Sequence, residues 1–117
     1  ENPVALQDLS VREVLNIMTE TKGSPGAASL VDREGKLVGF FTDGDLRRHL
    51  LNVAFSVDSP VSTIMHRNPK AVRQEQLVAE AERLLREYQI DQVPVVNELA
   101  QPVGLLEIQD LLNTRVI

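Results

Sequence analysis

Residues 35–50 read GKLVGFFTDGDLRRHL. An apolar run ends in Thr42-Asp43-Gly44-Asp45 and passes almost at once into Arg47-Arg48. A hydroxyl, two carboxylates and a glycine where a strand hands over to a helix leave two chemistries open. In one, Thr42 caps the helix and Asp45, three residues on, reaches back to the Thr42 N–H as a capping box. Carboxylates in a first helical turn also suit the positive end of the helix dipole. In the other, the stretch holds a ligand. An ionised Asp45 can accept from both hydroxyls of a vicinal diol, and the Thr42 hydroxyl can donate to a phosphate or accept from a sugar. A helix start offers N–H groups to an anion, and Gly44 lets backbone and ligand approach closely. The two readings are compatible, because a cap does not consume both Asp45 oxygens.

The arginines carry a similar choice between a solvated helix face and a phosphate contact. Consecutive helical residues point about 100° apart, so at most one of Arg47 and Arg48 is expected to face a ligand. Other chemistries find little support. Asp43 and Asp45 form a DxD, but the chain has no Gly-rich phosphate loop, no nearby lysine and no Ser-His or Cys-His pairing. His49 and His66 stand apart, without metal-ligand spacing. An autonomous enzyme is not expected, and no catalytic residue is assigned.

The elements that position these residues are written twice. NPVAL at 2–6 returns as NPKAV at 68–72, and LVGFFTDGDL at 37–46 returns as PVGLLEIQDL at 102–111. The offset is 66 early and 65 late, and about 67 in the helix between. In the first half Val11, Val14, Leu15 and Met18 recur at helical spacing behind a Ser10 cap. In the second, Leu77, Ala81, Leu84, Leu85 and Tyr88 do so. Two short apolar runs around a polar turn follow each helix: 27–31 and 37–41, then 93–96 and 103–106. Closing helices are expected over 43–52 and 108–114, giving β-α-β-β-α twice. Asp58-Ser59-Pro60 predicts a helix start for 61–65 in the connector.

Composition narrows the functional classes. The chain has 117 residues, 43% of them hydrophobic and 25% charged, which suits a globular domain able to bury its own core. Its net charge of -5 argues against a nucleic-acid or membrane surface. Phe40, Phe41, Phe55 and Tyr88 are too few for a base-stacking platform. No apolar run reaches the roughly 20 residues that span a bilayer. The absence of cysteine fits a reducing, cytoplasmic setting. No signal peptide is visible; the chain starts at Glu1 without Met and reads as an excised fragment.

Two repeats that each end in G-h-h-(T)-x-x-D-L resemble a tandem CBS domain pair, or Bateman module, across essentially the whole chain. FTDGDLRR and VSTIMHRNP are more specific. They are similar to the CBS pair of bacterial sugar-phosphate isomerases of the arabinose-5-phosphate isomerase type, which carry an upstream sugar isomerase (SIS) domain and feed Kdo and lipopolysaccharide synthesis.

The resemblance implies an α+β fold of two CBS repeats, 1–56 and 57–117, packed with pseudo-two-fold symmetry. It implies a regulatory nucleotide or nucleotide-sugar, an adenine nucleotide or CMP-Kdo, rather than a resident cofactor. Its binding residues would be Thr42, Asp43, Gly44, Asp45 and Arg47, with Ala27 and Ala28 forming a wall. Val93, Pro94 and Asp110 would serve in the second repeat. There Glu107 stands where Thr42 stands in the first, and a carboxylate repels phosphate, so the second site is expected to be weaker, modified or empty. The implied partners are the SIS domain and a second CBS pair in a homodimer. A different class of function is a ligand-free oligomerisation module, with 61–65 and 108–114 (Leu111, Leu112, Val116) as its apolar surface. A third reading keeps the module and changes its parent to a transporter or dehydrogenase.

Overall fold

The computed structural model describes residues 1–88 and 91–107. Its order is β1 (Val4–Leu6), α1 (Val11–Glu20), β2 (Ala27–Val31), β3 (Leu37–Thr42), α2 (Asp43–Leu50), β4 (His66–Arg67), β5 (Val72–Arg73), α3 (Leu77–Tyr88), β6 (Gln92–Val96) and β7 (Pro102–Glu107). The strands form two sheets, ordered β1-β2-β3-β4 and β5-β6-β7. The expected second closing helix, 108–114, lies outside the described residues.

The duplication is visible in the ladders. Ala27 faces Thr42, Leu30 faces Gly39, and the register slips between Leu30 and Val31. In the second unit Gln92 faces Glu107, Val95 faces Gly104, and the slip falls between Val95 and Val96. Each of these positions recurs 65 residues later. The first strands depart from the sequence match by one residue. Ala5 lies opposite Leu30 and Val72 opposite Val95, so Ala5 corresponds to Val72, whereas the NP-anchored alignment pairs Leu6 with it. Burial explains the shift: Ala5 and Val72 are buried, and Leu6 is 44% exposed. The inward side chain, rather than the Asn-Pro pair, sets the register.

Helix α1 forms as its pattern predicts, and Val11, Val14 and Met18 are its buried face. Ser10 and Glu13 close a capping box in which each side chain accepts from the other's N–H at 3.1 Å. The connector satisfies two more N–H groups of that helix end, since Val11 donates to the Ser59 carbonyl at 3.0 Å and Arg12 to Val57 at 2.8 Å.

This zippering corrects the expectation of an exposed connector helix. Only a short 3-10 turn forms, over Val61–Thr63, and Val61 and Met65 are buried in the first unit's core with Leu30 and Phe41. The apolar residues at the two ends of the segment are used for packing, with Ile64 against the same core, so 61–65 offers no apolar docking face. Gly39 is what admits Met65, because a β-carbon built there would fall inside the methionine side chain.

Strand β2 is buried along its whole length. Ala28 and Leu30 belong to the core under α1. Ala27, Ser29 and Val31 lie on the opposite face by the alternation of a strand, and their burial requires cover from elsewhere. The two units touch at their hairpin turns. The Leu37 N–H donates to the Ala100 carbonyl at 2.9 Å, joining the two hairpin turns. At the other end of the strands the units leave a cleft.

Candidate functional site

Thr42-Asp43-Gly44-Asp45 borders this cleft. Strand β3 ends at Thr42 and α2 begins at Asp43. The Thr42 hydroxyl accepts from the Asp45 N–H at 3.1 Å, and Asp45 Oδ2 accepts from the Thr42 N–H at 3.0 Å. The capping box is therefore formed. Asp45 Oδ1 is engaged too: Arg48 Nη2 donates to it at 2.5 Å. The sequence reading left that oxygen free, but Arg48 one turn along the helix reaches back to it. The Asp43 N–H donates to the Gly26 carbonyl at 3.0 Å. An anion at this helix end meets fewer open N–H groups than a bare helix start would offer.

The cleft has a volume of about 760 Å³, within the range of small-ligand sites. The first unit contributes Gly26, Phe40, Thr42, Asp43, Gly44, Asp45, Arg47 and Arg48. The connector adds His66, Pro69 and Lys70, and the second unit Asp91, Gln92, Pro94 and Glu107. At Gly26 the two halves come close: a β-carbon there would stand 2.8 Å from Asp43 Oδ2 and 3.9 Å from Gln92 Nε2. Gln92 in turn donates to Glu107 Oε1 at 3.1 Å. The carboxylate in Thr42's structural place is thus held by a neighbouring amide, and it does face the cleft.

Of the residues singled out from sequence, Thr42, Asp43, Gly44, Asp45, Arg47 and Pro94 line this space together. Both arginines do so, contrary to the expectation of one. Helix α2 has no buried residue and lies along the rim, where two long side chains from adjacent positions can reach the same opening. Ala27, Ala28 and Val93 are fully enclosed in β2 and β6 and do not line the cleft. Asp110 lies outside the described residues. Sequence reasoning passed over Gln92 and the connector's His66, Pro69 and Lys70. His66 and Pro69 fall within the VSTIMHRNP stretch at 61–69, which is the signal that could have found them. Among the described residues no three or more His, Asp or Glu are placed to hold a metal ion. None of the described helices is long and apolar enough to cross a membrane.

A β-α-β-β order that recurs 65 residues on, with a cleft of ligand size lined by both copies, defines the class: a two-repeat module. The comparisons with known proteins give the family. The CBS domain family matches twice, over residues 1–52 and 61–116, and the chain belongs to it.

Among curated proteins it is similar to arabinose 5-phosphate isomerase KdsD of Pseudomonas aeruginosa, 37% identical over 101 residues, covering 86% of this chain and 31% of that one. It is also similar to the inosine-5'-monophosphate dehydrogenase of Aquifex aeolicus, 33% identical, covering 97% of this chain and 23% of that one. The chain thus spans about a third or less of the length of these relatives. Among solved structures, a CBS domain protein of Pyrobaculum aerophilum complexed with AMP is 28% identical with a TM-score of 0.85, covering 100% of this chain and 88% of that one.

Proposed function

We propose that this CBS pair is a regulatory module that binds a phosphate-bearing nucleotide or nucleotide-sugar in the cleft. The observation that carries the reading is the convergence of Thr42, Asp45, Arg47 and Arg48 on one opening of ligand size. A carboxylate there recognises a diol and guanidinium groups recognise a phosphate. The AMP complex of the Pyrobaculum protein supports the ligand class. Arg47 and Gly44 act with Thr42, Asp43 and Asp45, and Pro94 closes the opposite wall. Ala27, Ala28 and Val93 act through their backbone groups, and Asp110 from the closing segment.

The parent we infer is a cytoplasmic sugar-phosphate isomerase whose catalytic SIS domain answers to this module, working as a homodimer in Kdo and lipopolysaccharide synthesis. The KdsD relative supports that parent over the dehydrogenase by its higher identity. An adenine nucleotide and CMP-Kdo are the two ligands to separate. A regulator tuned to metabolite levels would have a Kd of roughly micromolar to millimolar. It would act by preferring one arrangement of the module against its catalytic domain. Calorimetric titration with AMP, ATP, CMP and CMP-Kdo, in the chain and in Asp45→Ala, tests it. Binding of one of them that disappears in the variant supports the reading, and absence of heat with all four sinks it.

A second reading, an oligomerisation element, has an observation of its own. Leu50, Leu51 and Val53 are 57%, 87% and 104% exposed at the end of α2. Sedimentation of Leu51→Asp decides it: a smaller assembly favours this role, and an unchanged one removes it.

A further inference from the structure

We propose that Arg48 is a specificity-determining residue that makes diol recognition in the cleft depend on an anion in the same ligand; this rests on the nucleotide reading above. Asp45, the acceptor for a diol, has no unengaged oxygen: Oδ2 closes the cap and Oδ1 holds Arg48. The two ends of that ion pair differ in exposure. The Asp45 side chain is 19% exposed and that of Arg48 is 72% exposed, so the arginine is the member that can leave. An exposed pair of this kind is weak, and a competing anion displaces it readily.

The structure provides a place for the arginine to go. Gly44, Arg47, Arg48 and Leu51 line a smaller depression of about 250 Å³ beside the cleft. The Arg48 guanidinium already lies over Gly44, with Nη1 3.5 Å from the position a β-carbon would take there. Arg47 makes no ion pair among the described residues. A phosphate, or a sugar-acid carboxylate, seated between the two guanidinium groups draws Arg48 off Asp45 Oδ1. That oxygen then turns to the ligand's hydroxyls. A nucleoside without the anion meets Asp45 with Arg48 still seated on Oδ1 and has only the lone pairs left over by the cap and the arginine.

This predicts a crossover that an ordinary phosphate contact does not. The probes are adenosine against AMP and cytidine against CMP, titrated into the chain, Arg48→Met and Arg47→Met. In Arg48→Met the monophosphate weakens about tenfold while the nucleoside tightens about two- to fivefold, because Asp45 is released. In Arg47→Met the monophosphate weakens and the nucleoside is unchanged. A nucleoside that weakens or stays the same in Arg48→Met overturns the inference and leaves nucleotide binding standing. The same crossover in Arg47→Met also overturns it, since the effect would then belong to the general field of the rim. Failure of the unaltered chain to bind either monophosphate removes the nucleotide reading and this inference with it. Arg48 is exposed, and thermal melting of Arg48→Met close to that of the parent chain confirms that folding is not what changes.

Discussion

The described residues contain two capping boxes of the same construction, and of these the one at α2 faces the cleft. This supplies an internal control for the question of whether Thr42 and Asp45 cap or bind. Ser10 and Glu13 close the box at α1, and Thr42 and Asp45 close the one at α2. Both comprise a hydroxyl accepting at 3.1 Å and a carboxylate accepting at 3.0 to 3.1 Å. Replacing either hydroxyl residue by Ala removes one cap bond and costs about 1 kcal/mol, within a range of about 0.5 to 2. For a domain of this size that lowers Tm by about 3–6 °C. Asp45→Ala loses its half of the box and an exposed ion pair, which adds less than about 1 kcal/mol. On stability alone the variants at the two boxes should look alike.

On ligand binding they should not. A hydrogen bond from a ligand hydroxyl to a carboxylate is worth about 1.5–3 kcal/mol, so Asp45→Ala weakens a nucleotide by about 10- to 150-fold. Ser10→Ala and Glu13→Ala, on the far side of the first unit's core, leave affinity within about twofold. Melting curves and calorimetric titrations of the four variants with AMP and CMP give both quantities. Equal losses of stability with unchanged affinity in all four would return Thr42 and Asp45 to capping alone. A fall in affinity at Ser10→Ala as large as at Asp45→Ala would show that the titration reads loss of fold rather than loss of a contact.

Further expectations follow from the packing and the charges. Gly39→Ala should cost about 1–3 kcal/mol by overpacking against Met65, and in chemical unfolding its double variant with Met65→Ala should lose less than the sum of the two single losses. Leu30→Ala, at a fully buried site, should cost about 2–5 kcal/mol in the same assay. Glu107→Gln removes a negative charge from the cleft while leaving an amide to meet Gln92, so a nucleotide should bind about two- to tenfold tighter. Because Arg47 and Arg48 lie at an exposed rim, nucleotide affinity should fall as salt rises from about 0.05 to 0.5 M; no change would place the phosphate elsewhere.

What the sequence disclosed, and what it did not, divides along a physical line. Helix α1, its Ser10 cap, the two hairpins and the Thr42-Asp45 box were legible because each is written in one short continuous stretch of chain. The match of Thr42 with Glu107 was legible for the same reason, as the two β3-like runs align without a gap. The remainder depends on distance in space. Nothing local marks 61–65 as buried, because its cover comes from α1 and from the hole at Gly39. The register of Ala5 with Val72 is decided by the strand each faces, and the Asn-Pro match points one residue away. Arg48 was visible as a cation, but its hold on Asp45 depends on rotamers at the edge of an open cleft.

The duplication also bears on how such a site can specialise. Identical ladders place positions 42 and 107 at equivalent strand ends, so the backbone imposes the same geometry on both. What differs is the side chain at the strand end, its partner and the residues that follow, DGDLRR at 43–48 against IQDLLN at 108–113. At the first, a neutral hydroxyl caps a helix that carries Arg47 and Arg48 toward the opening. At the second, a carboxylate is pinned by Gln92 in the same opening. The cleft is therefore charge-divided although the fold around it is symmetric. A ligand with a neutral diol and a terminal anion has one favourable orientation in such a space, with its anion toward α2 and away from Glu107. Reversing it would bring phosphate against carboxylate. With one orientation, every bound ligand makes the same contacts with both repeats, so any preference it has for one arrangement of them is not averaged over two poses.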